Sequence, residues 1–251
     1  MVRRPAPGLV VLAYHRVGGN SGLEVDLDPG LFAAQMQQLS AQRRAVDIDR
    51  GLELVQQSNG PPSVVITFDD GTVDFIDHAL PALVAAGVPA TYYVATQFID
   101  EQQRFPDRGT PMTWAGLAEA ASTGLVTIGS HTHSHAVMDK LSPAGVENEL
   151  RRSKELIEDH LGRPAHHFAY PKGVFGGSAN EMVVGQHFRS AALANCAVNR
   201  FGATNPLRLD RFPIQRSDGM AYFARKCEGG MALEGRLRAI LNRRRYDSAM
   251  T

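Results

Sequence analysis

The chain reads as one parallel α/β domain, a barrel or an open sheet, on three observations. Short β-branched runs alternate with helix-period segments along all 251 residues. No composition break is long enough to be a linker, and no short-period repeat interrupts the pattern, so residues 1–251 form a single domain. Polar clusters at His15, Asp69-Asp70, His131 to His135, Lys172 and Arg211 each fall at or near a strand end, and such folds gather their chemistry at strand C-termini.

The elements follow in order. Gly8 to Tyr14 is the first strand, with His15 at its end. Asp28-Pro29 opens a helix bearing Leu31, Phe32, Met36 and Leu39, with Asp28 as cap and Pro29 in the first turn. A shorter helix near Asp49 to Gln57 leads into the Asn59-Gly60-Pro61-Pro62 loop. Val64 to Phe68 is a buried strand, bounded by prolines before it and Gly71 after it. A helix from about Thr72 to Ala86 follows, kinked or broken at Pro81. Ala90 to Ala95 is a strand, and the polar stretch from Glu101 to Pro111 is a rim loop.

Thr113 caps a helix through Leu117 to Ala121, and the strand Leu125 to Gly129 delivers Ser130 to His135. Ser142-Pro143 starts a long helix to about His160, stopped by Gly162 and Pro164. His167 to Tyr170 is a short strand closed by Pro171-Lys172-Gly173. A helix near Ala179 to His187, a strand at Ser190 to Leu193, a last strand at Leu209 to Ile214 and a helix near Asp218 to Lys226 complete the domain. The segment at about 231–245 sets Leu233, Leu237, Ile240 and Leu241 on one face. It reads as a terminal helix docked on the domain, the alternative being contact with a membrane surface.

Composition narrows the class. Apolar residues make up 43% and charged residues 21%, as in an ordinary soluble protein. With 26 basic and 26 acidic residues the formal net charge is zero, which argues against a nucleic-acid partner held by global charge. Cys196 and Cys227 lack metal-ligand spacing and make no disulfide framework. No run has the length of a transmembrane helix, and the apolar run from Leu9 to Tyr14 is too short for a signal peptide. The expected location is therefore cytoplasmic.

The chemistry centres on Asp69 and Asp70. Adjacent carboxylates at a strand end repel unless a cation sits between or beside them. A metal on one and a proton-transfer role for the other would account for the pair; the plainer alternative is an Asp-Asp-Gly turn capping the next helix. His131 and His135 are four apart, so on a helical turn both imidazoles face one ion. With one carboxylate they make a His-His-Asp set with open positions. Such a set suits Zn²⁺, although other first-row divalent metals also fit. His133 points elsewhere at this spacing, to a supporting position or the surface.

Thr67-Phe68-Asp69-Asp70-Gly71 and His131-Thr132-His133-Ser134-His135 resemble the first two motifs of the NodB-type polysaccharide deacetylases. The resemblance runs from about Tyr14 to Phe223, and it implies a distorted (β/α) barrel that hydrolyses N-acetyl groups on sugars with a bound metal. It also implies that Asp70, His131 and His135 hold the metal and that Asp69 is the general base. Phe168-Ala169-Tyr170-Pro171-Lys172-Gly173 matches the third motif in part, with Ala169 where the family has arginine and Lys172 where it has tyrosine. The oxyanion donor there is a backbone N–H, so Lys172 can supply it; Tyr170 and Arg211 join it as candidate contacts. Arg211 is the candidate substitute for the lost arginine, which steadies the catalytic aspartate.

The family's late acid histidine is missing, since no histidine follows His187. Ala13-Tyr14-His15-Arg16-Val17 instead resembles the early Tyr-His motif of the permuted branch, which includes bacterial poly-N-acetylglucosamine deacetylases. In a closed barrel the first and last strands are neighbours, so His15 becomes the expected acid for the leaving amine. The expected partner is an N-acetylated carbohydrate, polymeric or lipid-linked. Rival readings are hydrolysis of another C–N bond or an O-acetyl ester, or an inactive carbohydrate-binding module. A metallo-phosphoesterase needs two metals and further acidic ligands that the sequence lacks. Trp114, Tyr92 and Tyr93 are apolar platforms for sugar rings or, more simply, core.

Overall fold

The computed structural model describes residues 6–106 and 109–231. The strands are β1 (Leu9–Tyr14), β2 (Arg16–Val17), β3 (Asp26–Leu27), β4 (Ser63–Phe68), β5 (Ala90–Val94), β6 (Val126–Ser130), β7 (His167–Ala169), β8 (Ser190–Ala192) and β9 (Arg211–Pro213). The helices are α1 (Pro29–Gln42), α2 (Ile48–Gln56), α3 (Leu80–Ala86), α4 (Thr96–Asp100), α5 (Trp114–Ser122), α6 (Pro143–Leu161), α7 (Ser178–His187) and α8 (Gly219–Cys227). Caps account for several of the starts. The side chains of Asp28, Asp47, Thr113 and Ser142 accept backbone N–H bonds at the heads of α1, α2, α5 and α6.

Among the described residues one seven-stranded sheet runs in the order β8-β7-β6-β5-β4-β1-β9, every pairing parallel. Its outer strands approach each other. Leu209, just before β9, bridges Ala192 of β8; it donates to Ala191 O at 2.9 Å and accepts from Leu193 N–H at 2.7 Å. The sheet is therefore a nearly closed, distorted barrel rather than an open one. The distortion is visible at β6 and β7, which pair only through Ser130 and Phe168.

Strand alternation sorts the core into two layers. Leu12, Tyr14, Ile66, Phe68 and Tyr92 face outward onto Phe32, Met36 and Phe75, and Tyr14 stacks on Phe68 with ring centroids 5.2 Å apart. Leu9, Val11, Val65, Tyr93, Ala169 and Ala192 face inward with Ile48, Leu52 and Val55 of α2. Gly51 lets α2 press against Leu9 and Val65, where a Cβ would meet Val65 Cγ2 at 2.9 Å. This helix thus closes the end of the barrel nearest the strand N-termini and leaves the other end for chemistry.

Some expectations change. The helix from Thr72 begins instead as a wide π-type turn, Phe75–Ala79, and becomes α3 only at Leu80. Pro81 in the first turn of α3 has no N–H to donate, so the change of winding falls where a regular helix would lose a bond. The two-residue strands β2 and β3 pair with each other, too short to carry any periodicity. Tyr92 and Tyr93 are buried core; Trp114 is half-buried, stacked on His160 at 4.2 Å. Both cysteines are reduced and buried. No helix among the described residues is long and apolar enough to cross a membrane. The terminal helix expected at about 231–245, and its alternative of membrane contact, lie outside the described residues.

Gly129 of β6 tests the packing inside the barrel. A Cβ there would stand 2.7 Å from both His167 O and the Tyr93 ring. Gly129→Ala is expected to lower stability by about 1–3 kcal/mol, read as a shift in the urea midpoint with an unchanged slope.

Candidate active site

The turn after β4 sends its two carboxylates in different directions. Asp70 has φ 78° and Gly71 φ 112°; aspartate tolerates the first better than most residues, whereas the second requires glycine. Backbone bonds hold this turn from three sides. Asp69 N–H donates to Tyr14 O (3.0 Å), Ala95 N–H to Asp70 O (2.8 Å) and Met112 N–H to Gly71 O (2.8 Å). Neither carboxylate caps the following helix, so the plain-turn alternative is set aside.

Asp69 turns into the barrel and meets Arg211. Nη1 donates to Asp69 Oδ1 at 2.6 Å and Nη2 to Oδ2 at 2.8 Å, with both side chains buried. Two of the other three guanidinium N–H groups are used as well. Nη1 also donates to Thr67 Oγ1 (3.1 Å), and Nε donates to Leu193 O (3.0 Å). Burial by itself would raise the Asp69 carboxyl, but the Arg211 charge, with His131 and His15, outweighs it and holds the group below the usual carboxylate range. The same partner holds Arg211 above its usual value despite burial.

Asp70 turns the other way, toward two imidazoles. His135 Nε2 lies 3.4 Å and His131 Nε2 3.7 Å from Asp70 Oδ1. His131 Nδ1 is 2.8 Å from Ala169 O. A carbonyl only accepts, so this nitrogen carries the hydrogen. Burial pushes the His131 ring down to about 4, so it is neutral at pH 7 and Nε2 bears a lone pair. That lone pair faces an acceptor-only carboxylate. Burial opposes ionisation of Asp70 too, but a bond from His135 and the charges of His15 and His131 take it well below the ordinary range.

The donor set fits a divalent cation. One donor atom from each of Asp70, His131 and His135 lies within 4.8 Å of the others. An ionised carboxylate and a neutral imidazole presenting lone pairs to one another are what a metal resolves and what empty space does not. The Ala169 carbonyl fixes the His131 tautomer, as the far nitrogen of a ligating histidine requires.

The histidines do not converge on a helical turn. Residues 131–135 form an irregular loop, with φ 64° at Thr132 and φ 60° at His135. Neighbours meet its backbone groups: Ser130 Oγ accepts from Thr132 N–H (3.2 Å), and Gln97 N–H donates to His133 O (2.8 Å). His133 is buried rather than at the surface, its Nδ1 2.9 Å from Thr96 Oγ1.

Strand direction decides the third motif. Ala169 faces inward, so Phe168 and Tyr170 face outward. The Tyr170 ring packs on Phe168 (5.0 Å) and Phe175 (6.1 Å), turned from the site, which corrects its expected substrate contact. Lys172 is exposed with φ 59°, and a Cβ on the next residue, Gly173, would collide with Ala194. His15 is half-buried at the end of β1, and its Nδ1 makes no hydrogen bond among the described residues. Sequence reasoning missed Thr67, whose hydroxyl accepts from Arg211 and donates to Leu12 O at 2.9 Å. Its signal was its place two residues before Asp69, on the same strand face.

Comparison with known proteins places the chain in a family and matches its fold. A family model described as polysaccharide deacetylase matches residues 56–186, just over half of the 251. YxkH of Bacillus subtilis (strain 168) is 27% identical over 168 residues, which cover 66% of this chain and 57% of that protein. Two solved structures share the fold: the Streptococcus pyogenes deacetylase PplD in complex with acetate (TM-score 0.76, 20% identity, 89% of this chain and 99% of that one) and IcaB from Ammonifex degensii (TM-score 0.76, 24% identity, 90% and 100%).

Two outcomes follow from the electrostatics. Arg211→Met strands a buried carboxylate and is expected to cost about 3–5 kcal/mol at pH 7. In that variant the Asp69 carboxyl is raised, so part of the loss returns as pH falls, measurable by urea unfolding at pH 7 and pH 4. In the metal-free wild type, His131 binds its proton more weakly folded than unfolded. Its contribution is whole above about 6.5, the ordinary histidine value, and is lost as pH falls through that value toward about 4. His131→Gln is expected to flatten the stability profile in that window.

Proposed function

The chain belongs to the polysaccharide deacetylase family, and from that premise we propose that it removes N-acetyl groups from N-acetylhexosamine-containing oligo- or polysaccharides in a metal-dependent hydrolysis. The observation that carries the reading is the split of two adjacent carboxylates. Asp69 is locked to Arg211, while Asp70 faces the lone pair of a neutral His131 and the ring of His135.

Asp70, His131 and His135 would hold the ion, with Zn²⁺ suited to two nitrogens and one oxygen. A divalent ion bound there makes water more acidic and polarises a carbonyl. Asp69 is the base: Arg211 keeps it ionised and aimed, and the second lone pair on each oxygen stays available to a water proton. The backbone N–H of Lys172 is the donor to the developing oxyanion. His15, on the same rim, gives its proton to the amine nitrogen as the C–N bond breaks, leaving acetate and a free amino sugar. Arg211 takes over from β9 the task that the missing arginine at Ala169 would perform from β7.

Acetate release from an N-acetylglucosamine oligomer tests this reading. Release is expected from wild type, to fall after chelation and to return with Zn²⁺. Asp70→Ala and Asp69→Asn are expected to lose nearly all of it, and His15→Ala about 10²–10⁴-fold in kcat. Release that persists undiminished in chelator would overturn the metal dependence, and full activity in His15→Ala would remove it as the acid.

A further inference from the structure

Glu149 is a charged residue on a helix face otherwise given to packing. The buried positions of α6 are Val146, Leu150, Ser153 and Ile157. Glu149 lies three residues after Val146 and four before Ser153, on the same stripe. A carboxylate there is unfavourable unless its oxygens are used, and both go to a single target. Oε2 accepts from the backbone N–H of His133 at 2.9 Å and of Ser134 at 2.8 Å. Oε1 accepts from the Ser134 hydroxyl at 2.9 Å.

His133 and Ser134 are not ligand candidates; they lie between the two that are. The backbone around them is left-handed at Thr132 and His135, a costly conformation that persists only when surroundings over-determine it. α4 holds one edge of this loop through Gln97 N–H, and Glu149 holds the other. The helix does not depend on this carboxylate for docking, because its apolar stripe and the Ser153–Ser130 hydroxyl bond at 2.7 Å attach it to the barrel.

We propose that Glu149 is a positioning residue: it fixes the backbone of residues 131–135 so that His131 and His135 converge on Asp70 before any ion arrives. The proposal rests on the metal reading given above. Without the carboxylate two N–H groups lose their acceptor, the left-handed residues relax, and the cost of ordering the loop is transferred to metal binding.

The test is Zn²⁺ affinity of the full chain, measured by competition with a chromophoric chelator, together with the visible spectrum of the Co²⁺-loaded protein. Glu149→Ala is expected to bind Zn²⁺ about 10-fold or more weakly, with an altered Co²⁺ spectrum and an unchanged far-UV circular dichroism. Glu149→Asp keeps the charge but retracts it by one methylene, and is expected to weaken binding as well, which serves if the alanine variant does not fold. Glu149→Gln still offers an oxygen to both N–H groups and is expected to recover most of the affinity. If wild type fails to bind Zn²⁺, the metal reading falls and this proposal with it. If wild type binds but the alanine or aspartate variant binds equally tightly with the same spectrum, the proposal alone falls. A glutamine variant as weak as the alanine one would mean that charge, not hydrogen bonding, matters, and would overturn the positioning role.

Discussion

The buried pair between Asp69 and Arg211 is the constraint around which the barrel interior is arranged. The two residues are 142 positions apart, on strands separated in the sheet by β1. Taking both charges out of water costs several kcal/mol each, and such pairs rarely stabilise more than well-packed apolar residues would. Here the geometry is bidentate, and two of the remaining three donors find Thr67 and Leu193. What the pair achieves is an aspartate that stays ionised in a buried place and has one orientation. Apolar substitutes offer neither.

The second carboxylate is set up by opposite means. Asp70 has no guanidinium; its neighbours are imidazoles, one of them neutral by burial. Two chemically identical side chains, joined by one peptide bond, are thereby given separate duties. The strained backbone at Asp70 and Gly71 makes this separation, because an extended strand would also alternate them but would leave Asp70 facing the outer helices. Strain at the turn, the ion pair below it and the histidines above it are parts of one arrangement.

Much of this was legible in the chain. Apolar runs and their caps marked the sheet strands and most helices, because each stabilising contact recurs at a fixed spacing. The family motifs named both carboxylates and both outer histidines. The shape of the 131–135 loop was not legible: a four-residue spacing suggests a helical turn, whereas tertiary bonds to Thr96, Gln97 and Glu149 set the backbone. Tyr170 shows how one inward alanine decides the direction of its neighbours. Arg211 could be named as the candidate to steady the catalytic aspartate, but its two-pronged grip on Asp69 follows only from the barrel bringing β9 beside β1 and β8. Glu149 looked like any charge on a long polar helix.

The strand order also sets a timetable for biosynthesis. β1 pairs with β4 on one side and β9 on the other, so its second edge stays bare until residue 213 has been made. Asp69 lacks its guanidinium partner before residue 211. At about 5–20 residues per second, translation of the intervening stretch lasts on the order of ten seconds. For that time a nascent chain carries an apolar strand edge able to pair with other chains. The barrel therefore shuts late, and the strand that protects its edge is the one that brings the arginine.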